Sequence, residues 1–314
     1  MQLQTPDLSR YTTVAPTAVG STPIAGVWQF KSAISGPSVL ITALIHGNEV
    51  CGAWAASQLI DALAQGQFTL QRGSLTIAFC NIKAFERFDA NNLHSSRFVD
   101  EDMNRVWSAD KLSNVISYER KRTNELLPFV NDADFLLDLH SMHDPGQPLL
   151  LTGIKQRDIA FARELNLPGH IIVDAGHSEG VRLRDYNATT TSLLVECGFH
   201  LELHSEVMAK HSIAAFLKAT NVIASQTTLS SWLQAKPLQS AAVKVTHAVV
   251  AQTSQLCFSG DWSNMQRIAD AGTVIARDGQ TEHVTPYDDC TLIMPSLKQL
   301  RPGVTVVRLA QNLS

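Results

Sequence analysis

The first two thirds of the chain alternate short apolar runs with segments of helical character. The apolar runs predict buried strands at residues 38–45, 74–80, 134–139, 148–152, 170–174 and 192–195. The intervening and following segments predict helices at residues 50–63, 118–130, 158–166 and 204–218. Such strand–helix alternation is typical of an α/β fold in which helices cover both faces of a sheet.

The pattern changes in the last quarter of the chain. Short strands are predicted at residues 243–251, 273–276, 291–294 and 304–309, with Asp278-Gly279 and Pro302-Gly303 as turn sequences between them. We therefore expect two domains, an α/β catalytic domain at residues 1–228 and a small β-rich domain at residues 229–314.

Composition excludes several classes of protein. The chain has 314 residues, of which 45% are hydrophobic and 17% charged, as in ordinary globular proteins. The net charge of -4 offers no basic footprint for nucleic acid. No apolar run is long enough for a membrane span, and the start of the chain lacks the pattern of a signal peptide. The five scattered cysteines favour a reducing cytoplasm, and the sequence leaves open whether the chain forms a homo-oligomer.

Three candidate metal ligands lie near the ends of predicted strands. His46 follows the first strand, Glu49 begins the next helix, and His140 closes the run DFLLDL. The carboxyl ends of strands are where ligands gather in α/β sheets. Two imidazoles and one carboxylate leave the fourth zinc position open, which is the catalytic pattern, so we expect one Zn²⁺ per chain. The HxxE spacing alone is weak, but Asp138 on the same face of the strand could accept a hydrogen bond from a ligand histidine.

A fourth acidic residue, Glu196, ends the apolar run SLLV. A carboxylate at the end of a buried strand is unfavourable unless it is paired or functional. Beside a metal it would be the expected general base. The alternative is a solvent-exposed glutamate on an edge strand.

Four segments together resemble one known family. They are HGNE (residues 46–49), RFVDEDMNR (97–105), DLH (138–140) and VECG (195–198). Their order and spacing, over roughly residues 38–200, are similar to those of the succinylglutamate desuccinylase/aspartoacylase family, which is related to the zinc carboxypeptidases. The resemblance implies a zinc-carboxypeptidase-like mixed sheet flanked by helices, with a small C-terminal all-β module.

The resemblance also implies a role for each matching residue. His46, Glu49 and His140 would be the zinc ligands. In the remaining motifs, Arg97 would polarise the scissile carbonyl, and Asn104 with Arg105 would bind the carboxylate of the amino-acid part. Glu196 would act first as base and then as acid.

The chain departs from the family pattern in the residues that would contact the rest of the substrate. Family members place a further arginine upstream of the catalytic glutamate, to bind a second substrate carboxylate. Here Arg182 and Arg184 are both candidates, and Arg184 is slightly favoured. The C-terminal tyrosine of the family has no clear counterpart, and Tyr287 is the nearest candidate.

Other polar residues invite simpler interpretations. His143 is expected in a pocket wall or loop, and His200 and His204 at the surface. His177, with Glu179, is expected in a polar turn, with a position in the pocket wall as the alternative. Gly47 is expected to serve a tight turn between the two ligands of HGNE.

The function indicated is zinc-dependent cleavage of a linear amide in a small N-acyl amino acid. The nearest alternative is a zinc carboxypeptidase that acts on peptides, since the same catalytic residues would serve both reactions. A non-catalytic small-molecule binding protein on the same scaffold is the alternative from another class. The presence of Glu196 and Arg97 argues against it, because binding alone needs neither a base nor an oxyanion partner.

Overall fold

A computed structural model describes residues 5–13, 17–167, 169–176, 179–200, 202–224, 228–233 and 241–313. Within these residues the strands are β1 (Val27–Lys31), β2 (Ser38–Ala43), β3 (Ser74–Phe79), β4 (Phe135–Met142), β5 (Leu149–Thr152), β6 (His170–Val173), β7 (Thr191–Phe199), β8 (Ala242–Val250), β9 (Cys257–Phe258), β10 (Arg267–Ile268), β11 (Val274–Asp278), β12 (Thr281–Val284), β13 (Cys290–Ile293) and β14 (Thr305–Asn312).

Helices fill most of the connections between the strands of the first two thirds. The α-helices are α1 (Ser9–Thr12), α2 (Val50–Ala64), α3 (Ile82–Phe85), α4 (Ala109–Ser113), α5 (Tyr118–Asp132), α6 (Gln156–Leu165), α7 (Leu183–Tyr186) and α8 (Leu203–Ala219). Short 3-10 helices lie at Leu93–Ser96, Met103–Arg105 and Thr228–Trp232. Among the residues that the structure describes, no helix combines the length and apolar character that a membrane crossing requires.

One mixed sheet organises the molecule. Its strand order is β1-β3-β2-β4-β7-β5-β6-β8-β14-β13-β10, and β12-β11-β9 form a smaller separate sheet. The four neighbours β3, β2, β4 and β7 are parallel, and β5 runs antiparallel to β7. The carboxyl ends of β2, β4 and β7 therefore meet at one edge, which is the edge where the candidate ligands were expected.

Apolar side chains alternate between the two faces of the sheet. In β2, Val39 and Ile41 pack in the core cluster that includes α2, α6 and α8, whereas Leu40 packs in the cluster that includes Leu126 and Val130 of α5. Because successive residues of a strand point to opposite faces, these runs need helices on both sides. The expected α/β fold class is confirmed.

The C-terminal strands continue the large sheet. Strand β8 is parallel to β6, and β14, β13 and β10 follow it as antiparallel strands. A further core cluster packs this β-rich part around residues such as Ile275, Leu292 and Val307. The expected C-terminal β-structure is present, and its strands β8, β14, β13 and β10 continue the large sheet beyond β6.

Two predicted strand ends were too early. We expected strands to stop before His140 and before Glu196, but β4 runs on to Met142 and β7 to Phe199. His140 and Glu196 face each other in register, and the ladder shifts only between His140 and Met142. The polar side chains do not end these strands because the neighbouring backbone continues to supply hydrogen-bond partners.

One buried carboxylate anchors the long polar segment between β3 and α5. Glu119 of α5 is completely buried and accepts hydrogen bonds from the backbone N–H groups of Val99, Asp100 and Glu101, at 2.6, 3.1 and 3.3 Å. The side-chain amide of Asn81 donates a further bond at 3.0 Å. This carboxylate therefore ties a loop without regular structure to a helix and to the end of β3.

Replacing Glu119 tests that anchor. Glu119→Gln keeps the shape but replaces one acceptor oxygen by a donor, which leaves buried N–H groups unpaired. We expect the free energy of unfolding to fall by about 1–3 kcal/mol in denaturant titrations. The exposed Glu164→Gln should leave stability within about 0.5 kcal/mol of the parent protein. Equal stability of the two variants would contradict the anchoring role.

Candidate functional site

The segment HGNE makes a close passage between β2 and α2. The tight turn expected between His46 and Glu49 is present, and the Glu49 N–H donates to the His46 carbonyl oxygen at 3.1 Å. Gly47 does not have a positive φ, unlike several other described glycines, so the turn alone does not require glycine. A Cβ atom at Gly47 would lie 2.3 Å from the Phe85 backbone nitrogen and 2.5 Å from the Ser96 carbonyl oxygen. Glycine is needed here because two backbone segments press against the ligand loop.

Three predicted ligands converge in the interior. The potential ligand atoms of His46, Glu49 and His140 all lie within 4.8 Å of one another, and all three residues are buried. The Glu49 carboxylate lies between the two rings. Its Oε1 is 2.7 Å from His46 Nδ1, and its Oε2 is 2.7 Å from His140 Nδ1.

The outer nitrogens of both rings are held by further carboxylates. His46 Nε2 lies 3.0 Å from Asp102 Oδ1, and His140 Nε2 lies 2.8 Å from Asp138 Oδ2. The Thr42 hydroxyl in turn donates to Asp138 at 2.7 Å. With Nε2 engaged, each ring presents Nδ1 to the common centre. Two imidazoles and one carboxylate, with the rings oriented by second carboxylates, are a donor set that fits zinc.

The opposite charges of the buried carboxylates and histidines stabilise one another. Burial would lower the pKa of His140, but Asp138 and Glu49 raise it well above its usual value. Burial would likewise raise the pKa of Glu49, but His46 and His140 hold it well below its usual range. Such opposed shifts are what a dense, buried cluster of acids and bases produces.

Glu196 faces the same centre from β7. It is 8% exposed, and its Oε2 has no hydrogen-bond partner among the described residues. Burial raises the pKa of Glu196 to about 7, and Glu49 adds to the rise while His140 opposes it. Strand β7 lies between β4 and β5. The alternative of an exposed glutamate on an edge strand is therefore wrong.

Arg97 and Asp102 come from the loop that Glu119 anchors. Arg97 Nη1 donates to Glu49 Oε1, and Nη2 donates to Asp102 Oδ2, both at 3.2 Å. Asp102 thus orients the Arg97 guanidinium and also contacts His46.

Asn104 and Arg105 lie on the following turn. The side-chain oxygen of Asn104 accepts a hydrogen bond from the Leu183 N–H at 3.1 Å, and Arg105 Nη1 donates to the Asn104 carbonyl at 2.8 Å. Arg105 Nε also lies 3.9 Å from Glu179 Oε2. Asn104 therefore joins its own turn to the start of α7, and it also lines the cavity.

A cavity of about 470 Å³ opens over the cluster. Its wall contains the predicted site residues His46, Glu49, Arg97, Asn104, Arg105, His140 and Glu196. Residues that are far apart in sequence thus share one concave surface, which is the usual form of a small-molecule site.

Comparison with known proteins identifies the family. The sequence profile of the succinylglutamate desuccinylase/aspartoacylase catalytic domain matches residues 35–226, more than half of the chain. The chain belongs to this family. The family membership expected from the four segments is confirmed.

Individual members of the desuccinylase/aspartoacylase family share limited sequence identity with this chain. A probable aspartoacylase of Parasynechococcus marenigrum (strain WH8102) is 30% identical over 179 residues, which are 52% of this chain and 52% of the relative. The matched region thus spans about half the length of that relative. Succinylglutamate desuccinylases are similar in structure, with TM-scores of 0.72 for Vibrio cholerae and 0.70 for Chromobacterium violaceum. Both are 15% identical, and the matches cover 92% and 98% of this chain and 86% and 96% of theirs, so they show a shared fold.

The structure reverses the preference between the two arginine candidates of this family member. Arg184 is not part of the cavity wall that the described residues form, and its Nη2 contacts Asp185 at 2.8 Å and the Asp174 carbonyl at 3.2 Å. Arg182 does line the cavity. Its Nη1 bonds Asp174 at 2.9 Å, and its buried Nη2 has no partner in the described part of the chain. Arg182 directly precedes α7 and Arg184 lies in its first turn, so the two side chains point in different directions and the register could not be read from the sequence.

The C-terminal strands contribute residues that the sequence did not single out. Tyr287 packs in the β-rich core, and its hydroxyl lies 2.6 Å from the Thr246 hydroxyl, away from the cavity. The cavity wall instead includes Met294, Ser296, Gln299, Arg301, Pro302, Gly303, Val304, Thr305 and Arg308. Burial lowers the pKa of Arg308 to about 10, with Asp174 opposing and Arg182 adding to the shift. No linear motif marks these positions.

The remaining histidines fall into different environments. His143 lines the cavity, as expected, and His204 is exposed, as expected. His200 is 2% exposed and bonds the Ser141 hydroxyl at 2.7 Å, so its predicted surface position is wrong. His177 lies outside the described residues.

Proposed function

We propose that the protein is a zinc-dependent hydrolase that cleaves the amide bond of a small N-acyl amino acid. The observation that carries this proposal is the buried cluster of His46, Glu49 and His140 facing the buried carboxylate of Glu196 across one cavity. The family, named for desuccinylases and aspartoacylases, supports deacylation as the type of reaction.

The metal would be held by the two Nδ1 atoms and the Glu49 carboxylate. When bound, zinc would supply a Lewis acid that polarises the scissile carbonyl and lowers the pKa of a water molecule. Asp102 and Asp138 would keep the two rings in the orientation that presents Nδ1, and Ser141 N–H donates to Glu49 Oε2 at 3.3 Å. These contacts would hold the ligand atoms in position for the metal.

Glu196 would carry the proton during the reaction. Glu196 lines the cavity, and its buried Oε2 has no hydrogen-bond partner among the described residues. Its carboxylate can therefore take a proton from the attacking water and deliver it to the leaving nitrogen. Because burial raises the pKa of Glu196 to about 7, the protonated and ionised forms of its carboxyl group are close in free energy near neutral pH. That balance suits a group that must first accept and then donate.

Arg97 would stabilise the negative charge that develops on the carbonyl oxygen. Its bonds to Glu49 and Asp102 hold the guanidinium at the centre of the cluster. A fixed cation in a dry site stabilises a developing oxyanion more than a mobile one.

The amino-acid part of the substrate would lie against the arginine-rich side of the cavity. Asn104 and Arg105 would bind its carboxylate, because a guanidinium fork matches a planar carboxylate. Arg182, with Arg308 beside it in the wall, would bind a second carboxylate. Arg182 replaces Arg184 in this role because only Arg182 lines the cavity.

The C-terminal strands favour a small substrate over a peptide. We propose that residues 1–228 carry the catalytic groups and that residues 229–314 form a β-rich part that closes the cavity. The segment from Met294 to Arg308 supplies one wall of the roughly 470 Å³ space. A cavity of this volume suits a small molecule better than an extended chain.

Two glutamate variants test the base and the ligand separately. Glu196→Gln removes basicity but keeps size, so zinc and substrate binding should remain while kcat falls by about 10²-fold or more. Glu49→Gln should instead weaken zinc, because a neutral amide is a poorer ligand for a dication. Turnover is measured on N-acyl amino acids and on peptides that a carboxypeptidase would shorten from the C-terminus. Zinc content is measured by mass spectrometry.

The exposed Glu86→Gln is the matched control and should keep both zinc and turnover. Near-normal turnover of Glu196→Gln at full zinc occupancy would show that Glu196 is not the base. Peptides as the better substrates would replace deacylation by carboxypeptidase activity, and zinc binding without turnover on either panel would favour a binding protein.

Removing Arg105 tests how the substrate is held. Arg105→Ala should raise KM for N-acyl amino acids by about 10-fold or more, on the scale of a lost charged hydrogen bond. Substrates whose α-carboxylate is amidated should be poor for the parent protein and insensitive to the change. The exposed Arg163→Ala is the control for general loss of positive charge. Equal rates on the acid and amide forms would remove this carboxylate contact from the mechanism.

A further inference from the structure

Arg97 has a third partner that the proposed reaction does not yet use. Its Nη1 lies 3.2 Å from Nε2 of His143, and the side-chain amide nitrogen of Gln299 lies 2.6 Å from the same ring nitrogen. A guanidinium and an amide NH₂ can only donate. Nε2 of His143 must therefore be the acceptor and carry no proton.

This assignment determines the protons of the next two residues. With Nε2 bare, the neutral His143 ring carries its proton on Nδ1, which lies 3.2 Å from Nε2 of His200. His200 then carries its own proton on Nδ1, where it donates to the Ser141 hydroxyl at 2.7 Å. Ser141, His200 and His143 form a single hydrogen-bonded chain, which we call the histidine chain, and it ends on Arg97.

The surroundings keep both rings neutral. Burial lowers the pKa of His143 to about 2, with Arg97 as the next cause, and burial lowers the pKa of His200 to about 4. The rings meet edge to face, with centroids 4.8 Å apart and an interplanar angle of 84°. A protonated His143 would place two cations in contact, which this arrangement does not allow.

The histidine chain connects three parts of the fold. His143 follows β4, His200 follows β7, and Gln299 lies between β13 and β14 in the C-terminal part. Lys298 also donates to the His143 carbonyl oxygen and pairs with Asp144 at 2.7 Å. The wall that closes the cavity is thus bonded to the ring that touches Arg97.

We propose that His143 is a positioning residue, whose neutral Nδ1–H tautomer holds the Arg97 guanidinium in place for the oxyanion through a histidine chain buttressed by Gln299. This inference rests on the proposed function of Arg97. The other two partners of Arg97 are the carboxylates of Glu49 and Asp102. His143 is a neutral acceptor on the cavity side, so it directs Nη1 without cancelling the charge that the oxyanion needs.

A second metal site is a poorer interpretation of these histidines. The accepting nitrogen of His143 is already occupied by two donors. Among the described residues, the group with metal-binding geometry is His46, Glu49 and His140. A positioning role accounts for the side-chain hydrogen bonds of both rings described above.

Kinetics of two His143 variants test the role. His143→Leu should lower kcat by about 10- to 100-fold, the scale of a misplaced catalytic group, with KM, zinc content and melting temperature near the parent values. His143→Gln places an amide oxygen close to the position of Nε2 and should recover most of the lost kcat. The exposed His204→Leu is the control. An unchanged kcat in His143→Leu, or no recovery in His143→Gln at equal stability, would overturn the proposal.

Nitrogen NMR of histidine-labelled, zinc-loaded protein tests the tautomer without reference to activity. Two-bond ¹H–¹⁵N correlations should show His143 as neutral Nδ1–H, with the signal assigned by its loss in His143→Gln. A neutral Nε2–H form, or a protonated ring at pH 7, would overturn the proposal. If the parent protein hydrolyses none of the N-acyl amino acids but shows this tautomer, the proposed function fails while the positioning of Arg97 by His143 stands.

Discussion

The site depends on one carboxylate shared by two imidazoles. Glu49 sits between His46 and His140 with both oxygens engaged, and each ring is fixed from behind by Asp102 or Asp138. Taken alone, each of these buried charges would be strongly unfavourable. Together, the opposite charges stabilise one another, and the inward-facing donor atoms suit a dication.

Contacts between residues that are distant in sequence hold the rest of the site against this cluster. Glu119 fastens the loop that brings Arg97 and Asp102 to the centre, and the C-terminal strands supply the opposite wall of the cavity. His143 lies where these two parts meet. The same buried hydrogen bonds therefore stabilise the fold and orient the reactive groups.

Local sequence patterns were sufficient for the parts of the site that follow local geometry. The apolar runs predicted β2, β4 and β7, and residues at or near their carboxyl ends predicted the convergence of His46, His140 and Glu196. Local patterns do not determine side-chain direction around the short helix α7, so the sequence favoured Arg184 although Arg182 lines the cavity. The roles of Glu119 and Arg308 could not be predicted from the sequence, because a buried partner that is distant in sequence leaves no periodic signal.

The most direct test of the account is the zinc content of the purified protein after zinc loading and desalting, with His46→Ala, His140→Ala and the exposed His204→Ala compared side by side. The parent protein and His204→Ala should each retain about one Zn²⁺ per chain, whereas both ligand variants should lose most of it while remaining folded. Full zinc retention by His46→Ala and His140→Ala would contradict the metal centre on which the whole interpretation depends.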